Sequence, residues 1–163
     1  MIEIVILYIL NKYDSTIYKV GKLIDELFFG YLKTSTGTIN PALKRLEKMG
    51  CVECSEKMSD GGMLSKIYSI TQGGKKHLIE VLQRIELTNP YHIVNDAKIA
   101  LYCSDILSIN ETLTFKENLL NYLELYKIKL ERGLENEYIQ LNELQKKTIQ
   151  ITLDEINGLI KLL

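Results

Sequence analysis

The sequence predicts a mainly α-helical fold with one small β-hairpin: a winged helix-turn-helix over residues 1–87, followed by an all-helical domain over 88–163. Three observations predict it. Apolar residues recur at helical spacing three times before residue 50, two strand-like runs flank the pair Gly61-Gly62, and no proline follows Pro90 in a second half rich in apolar helical stripes.

Residues 2–12 form the first helix, because Ile2, Val5, Ile6 and Ile9 fall at i, i+3, i+4 and i+7. The segment is apolar nearly all round, so it is buried on more than one side. Asp14-Ser15-Thr16 offers N-caps for a second helix whose buried stripe is Ile17, Val20, Ile24, Leu27 and Phe28, with Gly30 at its stop. Gly21 inside that helix costs about 1 kcal/mol against alanine, which points to close packing at this position.

The third helix lies within Ser35 to Gly50. Ile39, Ala42, Leu43 and Leu46 line its core face, while Gly37, Asn40, Pro41, Lys44, Arg45 and Lys48 point away, and Gly50 ends it. Pro41 constrains the start. Capped at Thr38, the helix has Pro41 as its third residue and loses no bond; capped at Ser35, it loses the bond to Gly37, so an irregular first turn is expected. A cationic helix face followed by two strands reads as a recognition helix and wing, although any surface helix carries lysines on its solvated side.

A strand near 51–58, a tip at Ser59 to Met63 and a returning strand near 64–70, with Tyr68 and Ile70 inward, make the hairpin. Thr71 caps a fourth helix with Leu78, Val81, Leu82 and Ile85 on one face. In the second half, Asn89-Pro90 marks the boundary, with Pro90 suited to a first helical position and Ile93, Ala97, Ala100 and Leu101 forming a packing face. Ser108-x-x-Glu111 and Thr114-x-x-Glu117 are overlapping capping boxes, in one of which a long helix starts. Its stripe is Leu119, Leu123, Tyr126, Leu130 and Leu134, and breaks are expected at Gly133 and around Asn142 to Lys147.

Charge and chemistry narrow the function. The net charge is −1, but residues 1–87 carry twelve basic against ten acidic side chains and the remainder eight against eleven. That asymmetry suits an anion-binding module on an acidic companion domain. No run is long enough to span a membrane, and three cysteines without a signal peptide point to the cytoplasm. Cys51 and Cys54 have CxxC spacing, yet residues three apart on a strand face opposite sides and cannot share a metal, so no metal or cofactor is expected. No catalytic motif is present, and His77 and His92 are isolated, which argues against an enzyme.

The run GTINPALKRLEKMG, the glycine pair in the hairpin and KIYSIT-x-x-G together resemble the PadR family of bacterial transcriptional regulators, whose hallmark reads GTIYPALxRLExxG, a glycine-containing wing and RKYYxxTxxG. The likeness covers residues 4–82. The helical remainder is similar to the C-terminal domain of the branch akin to the virulence activator AphA. The resemblance implies a homodimeric regulator of double-stranded DNA, by family default a repressor on a palindromic operator. Thr36, Thr38, Asn40, Lys44, Arg45 and Lys48, with Lys66 of the wing, are then the candidate DNA-contacting residues.

Two departures bear on this. Asn40 replaces the family's tyrosine before the proline, and Leu64-Ser65 replace basic residues at the second wing strand, which removes phosphate contacts. Asn40 has the donor and acceptor pair that matches an adenine edge. The alternative is a winged-helix protein-interaction module that has lost operator binding. The C-terminal stripe Ile149, Leu153, Ile156, Ile160 and Leu163 is expected to carry the dimer. Ten tyrosines and no tryptophan leave room for a tyrosine-lined effector pocket near that interface and exclude a tryptophan-stacking one.

Overall fold

The computed structural model describes residues 1–58 and 64–163, so the expected hairpin tip at Ser59 to Met63 lies outside the described residues. The order is α1 (Ile2–Lys12), α2 (Ile17–Leu27), α3 (Thr36–Lys48), β1 (Val52–Met58), β2 (Leu64–Ile70), α4 (Gln72–Gln83), α5 (Ile93–Cys103), a 3-10 turn (Ser104–Ile106), α6 (Ile109–Leu134) and α7 (Glu143–Ile160). This is a winged helix-turn-helix with a C-terminal helical region.

Helix α1 is the hub. Every residue from Ile4 to Leu10 is buried, because the helix packs against α2, α3, α4, β2 and α5 at once. Its unbroken apolar run is what a helix surrounded by partners requires. Around it one continuous cluster of buried side chains extends from Val20 and Ile24 through Leu43, Leu46, Leu78 and Leu82 to Ala97, Phe115, Leu119 and Ile156. The packing also accounts for Gly21. A Cβ at that position would stand 3.3 Å from Ile39 Cδ1, a tight contact between α2 and α3 that the Ile39 side chain would have to ease by a few tenths of an ångström.

The hairpin pairs Val52 with Ile70 through Met58 with Leu64 in antiparallel register. Tyr68 also exchanges backbone bonds with Ser15, its N–H donating to Ser15 O at 2.9 Å and its carbonyl accepting from Ser15 N–H at 3.0 Å. The wing is thereby tied to the start of α2. Cys51 falls just outside β1 and is buried, whereas Cys54 lies within the strand opposite Tyr68, and both thiols are free.

The turn from β2 into α4 depends on Thr71 and Gly74. Thr71 Oγ1 accepts from Gly74 N–H at 2.9 Å and donates to Gly50 O at 2.7 Å, which caps α4 and fastens it to the end of α3. A Cβ on Gly74 would sit 2.0 Å from Cys51 O, so only glycine fits. Gly50 has φ +71, the left-handed end expected for α3.

Two C-terminal expectations are revised or resolved. Pro90 is not the first residue of a helix: it lies in a turn, His92 is the N-cap, and α5 begins at Ile93. Of the two capping boxes, Ser108 with Glu111 is used, the Ser108 N–H donating to Glu111 Oε2 at 2.7 Å, which holds that carboxyl below its ordinary pKa. α6 then runs to Leu134, next to Gly133, and α7 starts behind the Asn142–Gln145 capping box. The two helices are antiparallel, since Lys116 Nζ near the start of α6 donates to Leu163 O at the chain's end.

The C-terminal stripe is covered within the single chain. Leu153 is 4% exposed and Ile156 0%, both facing inward; Ile160 and Leu163 pack against the same core and Ile149 is half-buried. The apolar groups α6 and α7 leave in water are others: Leu125, Ile128, Leu144 and Ile151.

Candidate nucleic-acid interface

The exposed side of α3 is set by the same periodicity that buries its other side. Ile39, Ala42, Leu43 and Leu46 are buried, and in consequence Thr36, Thr38, Lys44, Arg45 and Lys48 stand in solvent while Asn40 is half-buried. Helix α3 starts behind Ser35, which makes Pro41 its sixth residue. The first turn is irregular as expected, with Thr38 N–H and Ile39 N–H both donating to Ser35 O, at 2.9 and 3.0 Å. Ser35 Oγ lies 3.2 Å from Thr38 Oγ1 instead of capping a backbone N–H. The helix therefore begins with exposed hydroxyls and uncapped amides, groups that donate to phosphate or base edges.

The cations on this helix are not equivalent. Arg45 is engaged with Glu3 on α1, whereas Lys44 and Lys48 make no ion pair among the described residues. Lys66 is exposed on β2, opposite Glu56 in the register. The sequence-derived residues on α3 thus share one helix face, with Lys66 on a separate element.

Sequence reasoning did not single out the exposed side of α2 that lies beside this face. A cleft of about 280 Å³ between α2 and the start of α3 is lined by Tyr18, Lys22 and Asp25 on one side and Thr34, Ser35 and Thr36 on the other. Tyr18 is 82% exposed. The signal was present in the α2 stripe: once Val20 and Ile24 are inward, Tyr18 and Lys22 lie on the opposite face, beside the first turn of α3. Lys22 is paired loosely with Glu26 at 3.6 Å.

Residues 6–80 match the family model described as Transcriptional regulator PadR-like family. Among solved structures, a PadR-like transcriptional regulator (BC4206) from Bacillus cereus strain ATCC 14579 is 32% identical, over 50% of this chain and 78% of that one, with a TM-score of 0.45. The protein smu.1604c from Streptococcus mutans UA159 is 24% identical over 98% of this chain and 94% of that one, with a TM-score of 0.45. Bacillus subtilis PadR, solved in complex with operator DNA, is 16% identical over 98% and 92%, with a TM-score of 0.47. No curated protein matches the chain.

Proposed function

This chain belongs to the PadR-like family of transcriptional regulators, a DNA-binding family, and from that premise we propose that it is a repressor that binds a palindromic operator as a homodimer. The observation that carries this reading is the division of α3. One face is locked into the core by Ile39, Ala42, Leu43 and Leu46, and the other presents Thr36, Thr38, Asn40, Lys44 and Lys48 together.

In this reading α3 enters the major groove, where the hydroxyls and lysines hold phosphates and Asn40 addresses a base edge. Tyr18 and Lys22 of α2 flank the same groove wall. Lys66 supplies the wing's contact. Two copies joined through the C-terminal helices set two recognition helices on successive turns of one face of the duplex. The dimer surface is then made from exposed groups of α6 and α7, Leu125, Ile128, Leu144 and Ile151, and not from Leu153 and Ile156, which the chain has already buried.

Selection of bound sequences from a random DNA pool by the full chain tests this reading. A recovered palindrome with half-sites about 10 base pairs apart supports it. Enrichment of a single, asymmetric half-site removes the dimer, and no enrichment at all favours the interaction-module alternative that Asn40 and the cation-poor wing suggest. The family's role in transcriptional control leaves no catalytic step to assign.

A further inference from the structure

The hairpin ends outward in an apolar pair. Met58 on β1 and Leu64 on β2 are partners in the register, 72% and 62% exposed. Side chains alternate between the two faces of a strand, so this pair shares a face with Glu56–Lys66, Cys54–Tyr68 and Val52–Ile70 further in. Val52 and Tyr68 are buried. One face of the wing is therefore core at its inner end and apolar surface in water at its outer end. Charge on the wing is balanced: the two strands hold Glu53 and Glu56 against Lys57 and Lys66, and Glu56 stands opposite Lys66. Such strands have no surplus of cations with which to neutralise phosphates.

We propose that Met58 and Leu64 act as an apolar wedge in the minor groove next to the site of α3, and that the chain thereby selects operators with an easily unstacked pyrimidine–purine step under the wing; the proposal rests on the DNA-binding reading above. The size of the pair points to this occupant. Two side chains are too little surface for a stable protein partner, which buries on the order of 1,200 Å² or more in total. They are enough for a wedge, which works by inserting one or two side chains such as Leu or Met between neighbouring base pairs.

The position points the same way. Tyr68 and Ser15 exchange backbone bonds that tie β2 to the start of α2, and Thr71 Oγ1 donates to Gly50 O, which ties the base of the hairpin to the end of α3. A wedge has to be held at a fixed distance from the helix that sets the register, and these bonds hold it from both sides. The cost of unstacking differs between steps, and TA, CA and TG steps deform most easily. Specificity then arises at a base pair to which the wing makes no hydrogen bond, a readout that a cation-poor wing can still supply.

Selection of bound sequences by the full chain and by the double variant Met58→Ser/Leu64→Ser tests the wedge, followed by salt titrations and end-to-end energy transfer on a labelled selected duplex. The wild type is expected to enrich TA, CA or TG at one fixed distance outside the bases that α3 meets, and to bring the ends of the duplex closer together. The double variant is expected to lose both effects, to bind the selected duplex about fivefold or more weakly, and to keep the wild-type salt slope because no phosphate contact is removed. Met58→Leu is expected to retain the step preference. Both positions are exposed, so thermal unfolding is expected to stay unchanged. A step preference or bend that survives the double variant overturns the wedge, and so does a slope reduced by about one unit, which makes the contact electrostatic. Unchanged DNA binding with a dimer that dissociates in sedimentation assigns the pair to a second copy and overturns it equally. DNA binding without any step preference in the wild type overturns the wedge and leaves the DNA-binding reading standing, whereas failure to bind any duplex overturns both.

Discussion

Arg45 Nε donates to Glu3 Oε1 at 2.7 Å, joining α3 to the first turn of α1. Both side chains are partly exposed, so the pair contributes on the order of 0–1 kcal/mol and yields to a phosphate without a large penalty. While it lasts, however, a carboxylate sits beside the cationic face. Glu3→Gln should therefore raise DNA affinity by up to about fivefold and steepen the slope of log affinity against log salt by about 0.9. Titrations at several salt concentrations check it, and an unchanged slope places Arg45 outside the interface.

Lys44 and Lys48 differ from Arg45 in having no ion-pair partner among the described residues. Changing either to alanine should weaken binding to all sequences alike and reduce the salt slope by about one unit for each phosphate that is no longer neutralised. A decrease confined to one operator variant would instead make that lysine a base reader.

Asn40 is half-buried beside Pro41, in a helix whose first turn leaves amides exposed. If its amide pairs with an adenine edge, Asn40→Ala costs about 1–3 kcal/mol at one operator position and little at the others. Competition between single-base variants of the selected duplex gives the answer; a uniform decrease marks an interaction with the DNA backbone.

How much of this was legible in the sequence depends on what each feature needed. Strong periodicity placed α1 to α4, and the signals at Gly50, Thr71 and Ser108 placed the end of α3 and the starts of α4 and α6, because caps are local chemistry, whereas the cap at Asn142 lies in a stretch read only as a break. Pro90 misled because proline is equally suited to the turn before a helix, and nothing local distinguishes the two. The surroundings of the Leu153–Ile156 stripe were not legible for another reason: periodicity shows that a face is apolar, not which surface covers it. α6 and α5 cover it within one chain. The Glu3–Arg45 pair, 42 residues apart, was beyond any local pattern.

Tyr8 links α1 to the C-terminal region through both its hydroxyl and its ring. The hydroxyl accepts from Lys12 Nζ at 2.6 Å, Lys12 also reaches Asp105 at 2.8 Å, and the ring meets Phe28 and Tyr102 with centroids 6.2 and 6.0 Å away. Burial pushes the phenol up to about 12, outweighing the opposite pull of Lys12, whose own pKa is raised by Asp105 and Tyr8. The folded value lies above the unfolded one, near 10, so the unfolded chain loses this proton first. Stability from Tyr8 is thus fully present below about pH 10 and lost as pH rises through about 12, on the order of 2–3 kcal/mol in all. Denaturant midpoints should fall more steeply above pH 10 in the wild type than in Tyr8→Phe; parallel curves would show that this hydroxyl does not titrate with unfolding.

Leu153 and Ile151 lie two residues apart on α7, and the fold gives them opposite tasks. Leu153 is 4% exposed, within the monomer, whereas Ile151 is 69% exposed, as Leu125 on α6 is 66%. Leu153→Ala removes atoms from a packed interior and should cost the folded chain about 2–5 kcal/mol, whatever its oligomeric state. Ile151→Glu and Leu125→Glu touch no packed interior, so each should leave thermal unfolding at low protein concentration nearly unchanged. If the exposed groups meet a second copy, a glutamate there must be buried without a partner, and the dimer should dissociate at concentrations where the wild type remains paired. DNA affinity should fall in the same variants, since two half-sites held by one dimer benefit from an effective local concentration that separate monomers lack. Sedimentation equilibrium of the three variants decides between the surfaces. Dissociation in the two glutamate variants, with Leu153→Ala still dimeric though less stable, assigns the interface to the exposed side of α6 and α7. Intact dimers in both glutamate variants place it on another part of the chain.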